Sequence, residues 1–519
     1  MKIKLGIISL LLGLILICGC AKQELPVRLR YDLVSYPETL DPQYATSSAA
    51  RTVIENSFEG LTAISPAGEI VPACAERWTV SDDRLIYTFT LRDGLRWANG
   101  DPLRAQDFAF ALQRLFNRDA PAPDANRYSM IKNAEQILAG ALDVTALGVR
   151  AKGDTVLEIT LAHDDPSLLS LLSNASAMPC QQSFFAGQKG RYGLTADNLL
   201  CNGPFFVRGW NSDAISVQRN ESFRNPVQID GVDFYVNRGD PVSLYLEGKS
   251  DLVFVPFQRL AEAQGLEGKI FYDQSWMLLY NTTGKLLARR DVRASLTAAL
   301  APDQLVERLP DYLQPYHGII APSAMLWGSP YRELAPIPQP AALPDGARQM
   351  FLSAVADLEQ EDVGRLTLLV SNFLPGPDLG GAIQRRWQQE LSTFVNMEQL
   401  DYYDLLERVE NGKFDIAIVP LTAQGNSPVD LLSAFESLPL TQSDDAPSIS
   451  EIISRARQQS EPDTAAAQLF MAEQKLVDEY VAVPLFVAPS LFATGEGIEG
   501  VSYSTVSRTV YFADAKRVR

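Results

Sequence analysis

The sequence contains only two histidines, His163 in LAHDDP and His317 in PYHGII, far apart among unlike neighbours. A histidine dyad or a two-histidine metal site would need both, so neither imidazole acid–base catalysis nor a metal centre is expected. Adjacent carboxylates occur at Asp82-Asp83 and Asp164-Asp165. Both pairs lie in polar, turn-like stretches where Asp serves its own backbone, and they read as solvated turns.

Two glycine patterns mimic nucleotide sites. The run from Gly495 to Gly500, GEGIEG, spells a dinucleotide fingerprint, but the alternating, β-branched VSYSTVSRTVYF follows it where a helix is required. Its two glutamates would also repel a pyrophosphate. The tripeptide Gly248-Lys249-Ser250 looks like the end of a P-loop, yet Ser243 stands where that motif needs its first glycine. No catalytic group, cofactor or metal is expected.

The cysteines point to export. Lys2 and Lys4 precede an uncharged, Leu- and Ile-rich run from Leu5 to Gly19, which ends at Cys18-Gly19-Cys20. A basic segment, a short apolar segment and a small residue make a signal peptide over 1–19, marginal as a membrane span. The ending resembles the lipobox of bacterial lipoproteins, which implies that Cys20 is acylated and becomes the mature N-terminus. Two acyl chains would tether an otherwise water-soluble chain to the membrane.

In an oxidising compartment the remaining cysteines are disulfide candidates. Cys180 and Cys201 enclose a loop holding Gly187, Gly190 and Gly193. A bridge is expected there, contributing about 3 kcal/mol, with Cys74 a buried thiol. There is no Cys-x-x-Cys spacing to suggest zinc or redox chemistry.

At 519 residues, 46% hydrophobic and 21% charged, the chain is long enough for two or more domains with ample cores. The net charge is -18, and two lysines leave with the signal, so nucleic acid is a poor partner. Solubility outside the cell is the simplest reading of the acidity, and a mild preference for cationic ligands is the sharper one.

The stretch LRDGLRWANGDPLRAQDF, Leu91 to Phe108, shows the kind of element that must hold any site. Tyr87, Phe89 and Leu91 alternate with threonines before it, as in a half-buried strand. Ala105, Phe108, Leu112 and Leu115 recur at helical spacing after it. Asn99-Gly100 and Pro102 punctuate the turn, with Trp97 packed beneath. This is a scaffold corner, not a reactive site.

The same stretch resembles a signature of the extracellular solute-binding proteins of the oligopeptide and dipeptide ABC transporter family. Other stretches repeat the likeness in order along the chain. They are Leu40-Asp41-Pro42 with Phe58-Glu59-Gly60-Leu61, then Cys201-Asn202-Gly203-Pro204-Phe205, SWMLLYNTTGKLLARRDVRASLTAAL, Gly412 to Ala417, and Val483-Pro484-Leu485-Phe486.

The resemblance implies an α/β fold of two lobes with a ligand cleft between them, the two-lobed periplasmic-binding-protein-like type with an extra subdomain. Lobe one would comprise 20–272, with an inserted subdomain at about 61–200, and the return segment 480–519. Lobe two would be 273–479. The lobes would close on a short peptide, and an ABC permease in the membrane would read the closed form. The chain is expected to act as a monomer.

By the same resemblance, Thr46 and Ser48 would meet the ligand from lobe one, and the segment Val419, Pro420, Leu421, Thr422 and Gln424 from lobe two. The family's peptide binders commonly carry a tryptophan and, three residues on, an aspartate for the ligand's α-ammonium. Leu421 and Gln424 stand there, and a neutral amide cannot pair with that charge. Pro420 also removes a backbone donor. Asp430 or Asp401 could substitute. Alternatives to a peptide receptor are a binder of a non-peptide solute such as a nickel chelate or sugar, and a sensory or chaperone paralogue. A secreted hydrolase would need a nucleophile with a base.

Overall fold

Alternation of apolar residues sets the main sheet. The computed structural model describes residues 26–518 apart from 66–67, 308, 340–341, 344–345, 359–365, 422–426, 437–446, 460 and 506. The signal segment and Cys20 therefore lie outside the described residues, as do Thr422 and Gln424.

Ten strands of an eleven-stranded sheet follow one path. In spatial order they are Asn396–Leu400, Thr367–Ser371, Ile416–Pro420, Lys269–Tyr280, Ala482–Thr494, Leu252–Val255, Arg28–Asp32, Gly231–Tyr235, Ala214–Arg219 and Phe205–Trp210. Thr367–Ser371 is parallel to both its neighbours, as is Arg28–Asp32, and the other pairs on this path are antiparallel. The mixed α/β class that the resemblance implies is what the chain adopts.

The two longest strands hold the sheet together at its centre. Lys269–Tyr280 and Ala482–Thr494 pair antiparallel from Lys269 with Phe492 to Leu279 with Ala482, with register shifts at Tyr272/Gln274 and Trp276/Met277. One end of this ribbon lies beside Leu252–Val255 and the other beside Ile416–Pro420. The expected Tyr272/Asp273 boundary falls inside the first of these strands, at the register shift between Tyr272 and Gln274.

Cores collect on both sides of that ribbon. One runs from Leu29 to Leu252 and takes in Phe271, Phe492, Val510 and Phe512. On the other side, period-two alternation splits consecutive residues between two faces. Trp276, Leu278, Ile416 and Ile418 pack with Trp387 and Leu296, while Met277, Leu279, Ala417 and Val419 pack with Leu469 and Ile453. Helices Arg290–Leu300 and Gly376–Leu391 cover the first face, and Pro462–Asp478 the second. A four-stranded antiparallel sheet, Ala75–Val80, Ile86–Leu91, Val156–Thr160 and Val149–Ala151, lies within 61–200 and shares the first core.

The corner at Leu91–Phe108 is built as its residues dictate. Trp97 is fully buried, and its indole Nε1 donates to Asp107 Oδ2 at 3.2 Å. The same carboxylate oxygen accepts from the Arg104 backbone N–H at 2.9 Å, capping helix Ala105–Leu115. Gly100 takes φ +87°, in the left-handed region glycine enters at no steric cost. At the end of the helix, Arg114 donates to Asp41 Oδ1 at 3.1 Å and also to Gln43, tying two of the sequence motifs together.

That cluster corrects the disulfide expectation. Cys180, Cys201 and Cys74 are all free and buried. The Cys180 thiol faces the Arg114 guanidinium at 3.6 Å, and burial pushes it up to about 12. The Cys201 thiol is turned to the Val207 backbone, and burial likewise raises it to about 12. Packing closes the loop instead: the Leu40 N–H donates to the Gly193 carbonyl at 2.8 Å, and the Arg114 guanidinium lies 4.2 Å from the centre of the Phe185 ring.

Candidate functional site

A cavity of about 440 Å³ opens between segments from the two sides of the central ribbon, within the size range of small-ligand sites. One wall comes from helix Ser48–Ser57, the 3₁₀ turn Ala125–Tyr128 and the stretch from His163 to Ser176. The opposite wall comes from Met325 to Gly328, helix Pro428–Ser433 and Arg457 at the end of helix Ile449–Arg457. The two helix starts are capped in the ordinary way. Ser47 Oγ accepts from the Ala50 N–H at 3.2 Å, and Ser427 Oγ from the Asp430 N–H at 3.1 Å.

The walls touch. Arg127 Nη2 lies 3.5 Å from Asp430 Oδ2, joining elements about three hundred residues apart, and Ser427 Oγ donates to the same oxygen at 2.8 Å. Gly328, at φ +93°, comes so near the other wall that an added Cβ would lie 3.2 Å from the Ile70 nitrogen. Glu55 is buried, which raises its carboxyl, while hydrogen bonds from Tyr511 and Thr509 oppose that shift.

The sequence-predicted contacts are scattered around this cavity. Thr46 and Ser48 are exposed at the start of the helix whose next turn supplies Arg51, and they do not line the cavity. Val419 is buried in the core, opposite Met277 in the ladder, and Pro420 is buried opposite Trp276. The Leu421 N–H donates to the Ser275 carbonyl at 2.9 Å, and its side chain is also buried. Of the two substitute aspartates, Asp430 faces the cavity, while Asp401 caps helix Tyr402–Glu410 by accepting from the Tyr403 N–H at 3.0 Å.

The Asp164-Asp165 expectation needs correction. Asp164 pairs with Arg84 at 2.8 Å, but Asp165 is buried at the cavity wall beside His163, not solvated. Burial raises the Asp165 carboxyl, and the Ser167 side chain and N–H, then His163 and Arg457, oppose it. The wall residues that sequence reasoning missed are Arg51, Asp124, Arg127 and Arg457. His317 belongs to a separate small pocket with Asp303 at 3.9 Å. Among the described residues no cluster of His, Cys, Asp or Glu could hold a metal ion.

A cleft between two packed halves joined by long shared strands defines a binding protein of the two-lobed α/β class. The model of the bacterial extracellular solute-binding proteins, family 5, middle region, matches residues 69–439, and the chain belongs to that family. It is a family of solute-binding proteins, not enzymes. The chain is 23% identical over 478 residues to the dipeptide-binding protein DppE of Bacillus subtilis, covering 90% of this chain and 87% of that one. Over 249 residues, 46% of each chain, it is 33% identical to the probable deoxycholate-binding periplasmic protein YgiS of Escherichia coli. The structure of the Escherichia coli murein tripeptide binding protein MppA superposes with a TM-score of 0.71 at 22% identity, covering 95% of this chain and 99% of that one. Among the described residues no helix is long and apolar enough to cross a membrane.

Proposed function

We propose that the chain is the substrate-binding component of an ABC importer, tethered by lipid at Cys20, and that it closes on short peptides and presents them to a membrane permease. The observation carrying this reading is the polar, two-walled cavity in a chain of this family, together with relatives named for dipeptides. Two walls bridged by Arg127 and Asp430 suit hinge closure, in which a ligand touching both sides stabilises the closed form. Lobe one is proposed as 20–272 with 480–519, including the insertion at about 61–200, and lobe two as 273–479.

The proposed ligand contacts remain Thr46, Ser48 and the segment reaching Thr422 and Gln424. Val419 and Pro420 can offer only backbone, because their side chains are buried. A second reading, a non-peptide solute, is favoured by the likeness to YgiS over 249 residues. The charged wall formed by Arg51, Asp124, Arg127 and Asp165 suits a peptide better than a largely apolar steroid.

Native mass spectrometry of the chain from Ala21 onward, followed by denaturation and identification of what is released, tests the reading. A ladder of short-peptide masses is expected. A chain that stays unshifted with a peptide pool yet binds a bile acid would replace it with the second reading. The lipid is tested separately: Cys20→Ser should move the protein from the membrane to the soluble fraction.

A further inference from the structure

The two walls of the cavity also meet through a pair of β-hairpins rooted in different cores. On one side Thr62–Ile64 pairs with Ile70–Pro72, and Thr62 Oγ1 donates to the Leu169 carbonyl at 2.7 Å, beside Leu61 and Leu168 of the first core. On the other, Met325–Leu326 pairs with Ser329–Pro330, while Ala324, Leu326 and Tyr331 share the core of Leu469 and Ile453. One buried carboxylate stiffens this second hairpin from beneath. Glu473 accepts from the Ile319 and Ile320 N–H groups at 2.8 and 2.9 Å and from Arg332 Nη1 at 3.0 Å. The chain entering the hairpin and the chain leaving it are thus pinned to the same helix, Pro462–Asp478.

Where the hairpins touch, each offers a glycine to the other. Gly68 lies at φ +88°, and a Cβ there would overlap the Met325 methyl carbon and lie 3.2 Å from its sulfur. Gly328, at φ +93°, stands in turn over the backbone of the first hairpin, where its Cβ would lie 3.2 Å from the Ile70 nitrogen and 3.5 Å from the Glu69 Cα. At both positions any other residue would be strained as well as crowded. Trp327 precedes Gly328 in the two-residue turn at φ +50°, a left-handed conformation uncommon for a bulky side chain. A tryptophan kept there is held by what surrounds it. Gly68, Met325, Trp327 and Gly328 all line the cavity, so the interlock is part of its rim.

We propose that these hairpins form a latch that holds the two halves together in the unliganded chain, with the Met325 side chain seated in the notch left by Gly68, and that ligand entry waits for its withdrawal. The seat takes one flexible thioether side chain, so release exposes little apolar surface and is readily reversed. A latched population lowers the fraction of chains open to ligand and slows association in proportion. The contact is the same whatever the solute, so the latch goes beyond the peptide reading and does not depend on it. The Arg127 to Asp430 contact works beside it as the charged part of the same closure.

The test compares the chain from Ala21 onward with its Met325→Ala, Met325→Leu and Gly68→Ala variants, each verified as folded by thermal melting. Small-angle X-ray scattering without ligand should give a larger radius of gyration for Met325→Ala, which empties the notch, and for Gly68→Ala, which fills it. Met325→Leu conserves the volume and should scatter like the unmodified chain. In stopped-flow measurements with trialanine, Met325→Ala should associate about threefold faster or more and also dissociate faster. An unchanged radius in Met325→Ala and Gly68→Ala would overturn the latch, and so would a radius that grows equally in Met325→Leu and Met325→Ala. A larger radius with unchanged trialanine association would overturn its control of entry. If trialanine binds to none of the folded chains, the peptide reading falls and scattering alone decides the latch.

Discussion

The same chemistry, a guanidinium against a carboxylate, appears in two regions of this molecule with opposite purposes. Arg114 and Asp41 are 7% and 9% exposed, deep in the first core, with Gln43, Cys180 and the Phe185 ring around them. Arg127 and Asp430 are 27% and 32% exposed and meet across the cavity at 3.5 Å. The first pair joins elements that never need to separate, so burial makes it rigid. The second keeps its access to water, so its two sides can part at small cost and let a ligand in. Burial, more than the type of residue, decides whether a charge pair is scaffold or gate.

Arg114→Met should break that comparison most severely. It leaves Asp41 buried without its partner, which costs about 3–5 kcal/mol, and urea denaturation should register a corresponding fall in midpoint. A loss below about 1 kcal/mol would show that the first pair is as dispensable as a surface one.

An intermediate case lies between them. Asp251 is itself buried, but its partners Arg30 and Arg517 are 39% and 44% exposed. Burial pushes the Asp251 carboxyl upward, yet hydrogen bonds from the Arg30 side chain and backbone and the charges of Arg30 and Arg517 outweigh it, and the net shift is downward. A folded value below the unfolded one means the group stabilises the fold above the unfolded value, near pH 4. That contribution is lost as pH falls through the folded value. Asp251→Asn should therefore lower the melting temperature at pH 7, by about 1.5–3 kcal/mol of stability, and flatten the decline on acidification. Melting curves from pH 7 to about 2 would check this, and parallel curves for the two proteins would refute it.

The smallest stability effect is expected at the gate. Arg127→Gln should change stability by only about 0–1 kcal/mol while shifting the unliganded chain toward an open form, read as a larger radius of gyration in small-angle X-ray scattering. An unchanged radius would show that the contact with Asp430 does not hold the cavity closed. A large loss of stability would place the pair with Arg114 and Asp41 after all.

Legibility followed the range of the interactions. The corner from Tyr87 to Leu115 was readable because its strand alternation, its Asn99-Gly100 turn and its helix face are all settled within a few residues. The position of Asp165 was not. Its neighbours in sequence, His163 and Asp164, suggested a solvated turn, and only packing against segments far along the chain buries it. The Cys180 and Cys201 expectation failed for a related reason. Spacing permitted a closed loop, but the direction of each thiol depends on Arg114 and Val207, which no local pattern announces. Of the predicted contacts, Asp430 was reached only as a substitute, and Arg51 and Asp124 carried no signal that separated them from any other charged helix or turn residue.

By itself, the sequence determined the strand, turn and helix from Tyr87 to Leu115, the acidic balance and the scarcity of catalytic side chains, because periodicity, caps and composition act locally or in sum, while the α/β class followed from the family resemblance. Only the tertiary structure decided which charges meet and which stay open. The central ladder of Lys269–Tyr280 with Ala482–Thr494 joins the segments that bear Arg51, Asp124 and Asp430 into one cavity. Pairing across hundreds of residues sets burial, and burial sets what each charge can do.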